Sequence, residues 1–257
     1  TVGMNFMSGP WDALLLEAGF LAIFFSPWQL KPRISKEPAP SFAILLLYRW
    51  LVFRLVLGTA LAKLANADGI WFPEFTALTY YFQNQPLPAW TSWYLHHLPG
   101  GLLKAMAAVL LLLELLLPLC MLLGRRVRLV ACAGVVSLQV LAFLNGNGSF
   151  YNLLVIVLCV LLLEDTWLSE SWRAQFVDED RPGPPGLRLR ASQVAGLIVF
   201  IPLFSISATL LAGQARQLGS RLGKDPVLAG TSLMQRAAAI AAPLRLVGVY
   251  GPQAPMR

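Results

Sequence analysis

Four ionisable residues, Glu17, Arg49, Arg54 and Glu114, sit inside long apolar runs of this chain. Charges at such depths in a membrane span are rare, and they face a partner charge or a water-filled cavity. Two acids and two bases can serve two kinds of chemistry. Matched as ion pairs, they clamp neighbouring helices; left facing a cavity, they bind a polar solute or move a proton. Depth distinguishes the possible matches, given the rise of about 1.5 Å per residue of a straight helix. Measured from one outer level, Glu17 lies about 9 Å deep, Arg54 about 12 Å, Glu114 about 18 Å and Arg49 about 20 Å. This comparison pairs Glu17 with Arg54 and Glu114 with Arg49. The two arginines are five residues apart, about 140° around a helix, so each can serve a different neighbour. Pro118 has no N–H to give to the carbonyl of Glu114, which leaves that stretch of backbone open.

Other chemistry-bearing residues point to less. His96 and His97 are adjacent, so their rings diverge on a helix, and no cysteine or acid pair is near enough in sequence to complete a metal site. Cys120, Cys132 and Cys159 lie in apolar segments without metal-ligand or redox spacing, as expected of small hydrophobes in packed positions. No nucleophile–base–orienter set, phosphate-binding glycine loop or zinc-protease pattern is present. The reading is therefore of a protein that is not an enzyme, with no catalytic residue, no metal site and no cofactor.

The elements that must hold these residues are membrane spans. Of 257 residues, 57% are hydrophobic and only 13% charged, about half the charged share of a soluble domain; the mean hydropathy is +0.63. The chain cannot build a solvated surface, so the bilayer is its first partner. The net charge of +7 comes largely from arginines and lysines between apolar runs rather than from a basic face with stacking aromatics, which excludes nucleic acid as a partner. The expected fold is all-α, a polytopic bundle of about six spans: 11–28, 42–62, 102–123, 128–145, 150–163 and 192–213, the fifth being the shortest. Residues 1–213 form the membrane domain and 214–257 a C-terminal tail. Lys31, Arg33 and Lys36, then Arg125, Arg126 and Arg128, then Arg173, Arg181, Arg188 and Arg190 mark alternate loops as cytoplasmic. Both ends of the chain then lie outside, although the basic tail strains the rule. The opening "TVGMNFMSGP" resembles neither a signal peptide nor a natural start, and upstream sequence is expected.

The first span has a helix start at Gly9-Pro10, Asp12 in its first turn, and Trp11 and Trp28 at its margins. The outer loop 63–101 contains "WFPEFTALTYYFQNQPLPAWTSWYLHHLPG". It is too polar to span and rich in rings suited to a membrane–water interface, so it is expected to be a partly helical interfacial cap. Trp71, Tyr80, Tyr81, Gln85, Pro86, Pro88, Trp93, Tyr94 and His96 are its candidate client-facing residues. "NGNG" at 145–148 is expected to be a tight reversal, and "RPGPPG" at 181–186 a linker.

Three segments together, "VGMNFMSGPWDALLLEAGFLAIFFSP", "LTYYFQNQPLPAWTSWYLHHLP" and "NGNGSFYNLLVIVLCVLLLED", resemble the lipase maturation factor family, as does "LRLVGVYG" in the tail. The resemblance rests on Trp11, Asp12, Leu14 to Glu17 and Gly19; on Gln85 to Pro88, Trp93 and Tyr94; and on Asn145 and Asn152. It departs at Tyr81, where the family pattern implies a histidine. The resemblance implies a multi-pass membrane protein that assists maturation of secreted lipases as a chaperone. It would lie in the endoplasmic reticulum membrane if eukaryotic or the inner (plasma) membrane if bacterial, with a secreted lipase or other translocated client as partner and a soluble domain downstream. The alternative left open by the charges is a membrane enzyme or small-solute carrier built on Glu17, Arg49, Arg54 and Glu114.

Overall fold

The structure, a computed structural model, describes residues 10–26, 40–66, 68–85, 87–146, 150–163 and 187–221. Every regular element among them is an α-helix: α1 Pro10–Phe25, α2 Phe42–Ala65, α3 Ala77–Gln83, α4 Trp90–His96, α5 Gly100–Met121, α6 Arg125–Asn145, α7 Phe150–Val160 and α8 Leu187–Arg221. Four helices, α2, α5, α6 and the Gly196–Arg221 part of α8, are long and apolar enough to cross a membrane. α1 and α7 are shorter apolar helices of 16 and 11 residues. Each expected span coincides with one of these six helices, and the chain is a multi-pass membrane protein. The main differences are at the ends: α2 continues to Ala65, and α8 runs from Leu187 to Arg221, beyond both limits of the expected 192–213. Trp28, the basic residues of the first loop, positions 147 and 148 of the expected reversal, the linker at 181–186 and residues 222–257 lie outside the described residues.

α2 is the hub. Its buried positions run around much of its circumference, from Ile44, Leu47 and Tyr48 through Leu51 to Val56 and on to Lys63, as expected of a helix with neighbours on every side. It packs against α1, α5, α7 and α8, while α5–α6 and α6–α7 close the bundle. α1 turns one stripe towards α2, Leu14, Glu17, Ala18 and Leu21, and leaves Leu15, Leu16 and Ile23 exposed. That helical spacing puts Glu17 in the middle of the contact. The Tyr48 hydroxyl donates to the Ala18 carbonyl at 3.0 Å, tying the same two helices.

α8 lies parallel to α2. At one end Gly196 is so close that a β-carbon there would stand 2.4 Å from the Ser41 Oγ, so only glycine fits without movement. Midway, the Trp50 Nε1 donates to the Ser207 Oγ at 2.7 Å. At the other end Arg221 donates to the carbonyls of Leu64, at 2.8 Å, and of Asn66, which the end of α2 would otherwise leave without intrahelical partners. α8 therefore ends on the same side as the 63–101 loop, the relative placement expected from the loop charges. α3 and α4 form a cap at that side: α3 packs on α5, and α4 leans on α6.

Candidate functional site

Glu17 and Arg54 meet where α1 crosses α2. The Arg54 Nη2 donates to the Glu17 Oε1, and the two side chains are 2% and 7% exposed. Both are surrounded by the apolar stripe Leu14, Ala18, Leu21, Leu51 and Leu55. In so dry a setting each charge is tolerable only because of the other. This is the pairing expected from depth.

Glu114 does not pair with Arg49. Both its carboxylate oxygens accept from the Lys63 Nζ, at 2.6 and 2.7 Å, and the Trp71 ring lies 4.2 Å from that nitrogen. The expected Glu114–Arg49 pair is thus corrected, and the physical reason is axial. Arg49 and Lys63 are 14 residues apart on α2, within about 40° of one face, so the expected direction towards α5 holds. The height does not, because α5 starts well beyond the end of α2. Glu114 lies about 21 Å along α5 from Gly100, yet it meets a residue only about 3 Å short of the end of α2. Arg49 is half-buried with a buried Nε that no acceptor meets, and no carboxylate among the described residues pairs with it.

Lys63, assigned from sequence to the outer loop, is a buried member of the bundle. The signal for it was present. It follows Val52 and Val56 at helical spacing, and apolar residues continue on both sides of it in "TALAKLA". A further polar contact, Asn152 Nδ2 to Gln139 Oε1 at 2.9 Å, joins α6 to α7; Asn152 belongs to one of the quoted motifs, whereas Gln139 carried no signal beyond being a lone amide in an apolar run.

The cap separates into an inward and an outward set. Trp71 is half-buried over Lys63. Gln85 turns inward, and its Nε2 donates to the Asn145 carbonyl at 2.8 Å. Thr91 donates from Oγ1 to the Leu144 carbonyl at 2.6 Å. These two carbonyls belong to the last turn of α6, where intrahelical donors run out. The Tyr81 hydroxyl lies beside Gly146, where a β-carbon would come within 1.7 Å of it. Burial raises the Tyr81 phenol above its ordinary value, and a hydrogen bond with Gln85 brings it partway back. The outward set is Trp90, Trp93 and Tyr94, exposed by 78%, 58% and 63%, with Tyr80, Pro88 and His96 also exposed, as is Tyr81 by 38%. Trp93 packs edge to face on Tyr94 and lies against His97, whose Nδ1 is 2.7 Å from the Trp93 carbonyl oxygen. Pro86 lies outside the described residues.

Residues 1–170 match the family described as lipase maturation factor transmembrane domain. That match covers well over half of the 257 residues and includes both ion pairs and the whole cap. The chain belongs to the lipase maturation factor family. It is 38% identical to human lipase maturation factor 2 over 179 residues, covering 65% of this chain and 25% of the relative. It is 39% identical to the Xenopus laevis protein of the same name over 166 residues, 64% of this chain and 23% of the relative. With mouse lipase maturation factor 1 it shares 32% over 193 residues, 75% of this chain and 32% of the relative. The chain therefore spans about a quarter to a third of the length of these lipase maturation factors. No solved structure matches it.

Proposed function

We propose that this chain is the membrane region of a maturation factor that helps a translocated client, a secreted lipase by analogy with its relatives' names, to reach its active fold, and that it acts as a chaperone rather than an enzyme. The client would meet it at the exposed aromatic face of α4 and the adjoining part of α3. The observation that carries this reading is the exposure of Trp90, Trp93 and Tyr94 side by side on one short helix. Aromatic rings give large contact areas at little entropic cost and recur as anchors for apolar partners. The internal charges support the same reading, because each of the carboxylates Glu17 and Glu114 already has a cation. That is the arrangement a clamp between helices requires. The working membrane would be the endoplasmic reticulum in a eukaryote and the inner membrane in a bacterium, the two sites where a secreted client emerges.

The test is secreted lipase activity per unit lipase mass, with the whole gene present or deleted, across several lipases. Higher specific activity in its presence, lost on Trp93→Ala and kept on Glu114→Gln in folded protein, supports the maturation role. Unchanged specific activity across all the lipases, with the protein verified in the membrane, overturns it and favours a carrier or enzyme built on the charged residues.

A further inference from the structure

We infer that α4 is a movable flap, latched shut on the end of α6, and that Gln85 and Thr91 are the positioning residues that set where the aromatic face stands; the functional consequence rests on the maturation reading above.

The two halves of the cap are held in different ways. α3 is anchored by apolar burial: Ala77 and Phe82 are buried, and the helix packs along α5. α4 buries only Ser92, whose hydroxyl is turned back to the Ala89 carbonyl of its own first turn at 2.6 Å. Trp90, Trp93 and Tyr94 face away from the bundle, and Leu95 is half-buried. α4 rests on α3 and on the end of α6, and two side chain to backbone hydrogen bonds fix it to that end: Thr91 to Leu144 from within α4, and Gln85 to Asn145 from the segment leading into it. Both acceptors lie at consecutive positions of one helix end. Pro88 on one side and Pro99-Gly100 on the other interrupt the chain at both ends of α4, so a change in angle at these joints gives up the contact of α4 with α3 but need not disturb the packing of α3 on α5.

Elements with few buried apolar contacts and hydrogen bonds near solvent open at low free-energy cost. Each neutral hydrogen bond of this kind biases the closed position by about fivefold. With both in place, α4 is held while α3 keeps its packing. With both removed, α4 is free to swing and its rings lose a defined position. The latch also connects the aromatic face to the last turn of α6, so a client pulling on Trp93 would act on the end of α6.

The experiment is amide hydrogen exchange of the full chain in lipid nanodiscs, comparing wild type with Thr91→Val, Gln85→Met, the double variant and Thr91→Ser, alongside lipase specific activity. Peptides spanning 87–99 are expected to exchange about fivefold faster in each single variant and about thirtyfold faster in the double. Peptides within 44–60 and 103–117 should keep their wild-type rates, and Thr91→Ser, which keeps the hydroxyl, should behave as wild type. Wild-type exchange at 87–99 in the double variant overturns the flap, as does equal acceleration of every helix, which would make these bonds supports of the whole bundle. Faster local exchange with lipase specific activity equal to wild type supports the flap and overturns its part in client handling, whereas specific activity that is the same with and without the gene overturns the maturation reading instead.

Discussion

The bundle interior and the cap meet the same demand, the placing of polar groups in an apolar chain, by opposite means. Inside the bundle each carboxylate is matched by a cation from α2: Glu17 by Arg54 and Glu114 by Lys63. In the cap the polar groups of Gln85 and Thr91 are used on the carbonyls of α6, and the rings of Trp90, Trp93 and Tyr94 pack on one another and on His97 while remaining exposed. The difference separates what the protein needs to stand from what it offers to others. Interior matching makes each residue depend on its partner, whereas the outward rings can change with little effect on the fold.

The contrast is sharpest at Glu17 and Arg54. Glu17→Gln or Arg54→Gln should each lower stability by about 3–5 kcal/mol, because the surviving charge is left buried and alone. The charge-swapped double variant should recover part of that loss in a detergent thermal melt; a double variant equal to the sum of the singles would break the pairing. Lys63→Met should cost less, about 1–3 kcal/mol, since Glu114 is 15% exposed, against 7% for Glu17. Gly146→Ala should cost about 1–3 kcal/mol through overpacking against Tyr81, and Gly146→Ala combined with Tyr81→Phe should regain part of it, since the hydroxyl is the nearest atom in the way, with the Tyr81 Cζ at 3.0 Å and the Ala142 carbonyl oxygen at 3.2 Å behind it. The smallest stability effect is expected at Trp93→Ala, within about 0.5 kcal/mol, accompanied by a fall of about tenfold in lipase specific activity, the scale of one lost aromatic anchor. A large loss of stability at Trp93 would erase the contrast between interior and cap.

Much of this architecture was legible in the chain. The six apolar runs coincide with six helices because hydrophobic length is a local property, readable without knowing what packs on what. The Glu17–Arg54 contact was legible because α1 and α2 are neighbours crossing one layer, and depth alone aligned them. Glu114 was misassigned because depth measured from a common level fails when two spans are offset along their axes. Lys63 was missed because α2 continues past the point where the apolar run was judged to end. Gln85, read as facing a client, shows the limit for the cap: sequence marks an amide in an aromatic loop, but which way it turns depends on where the end of α6 lies.

Composition and spacing by themselves determined that this is a multi-pass helical membrane protein with buried charges and an aromatic cap between its second and third spans, since hydropathy and helical periodicity act within about 20 residues of chain. Only the tertiary structure decided which cation each acid meets and which side chains close the end of α6. Those outcomes depend on axial offsets and orphaned carbonyls, which arise from how separate helices are set against one another.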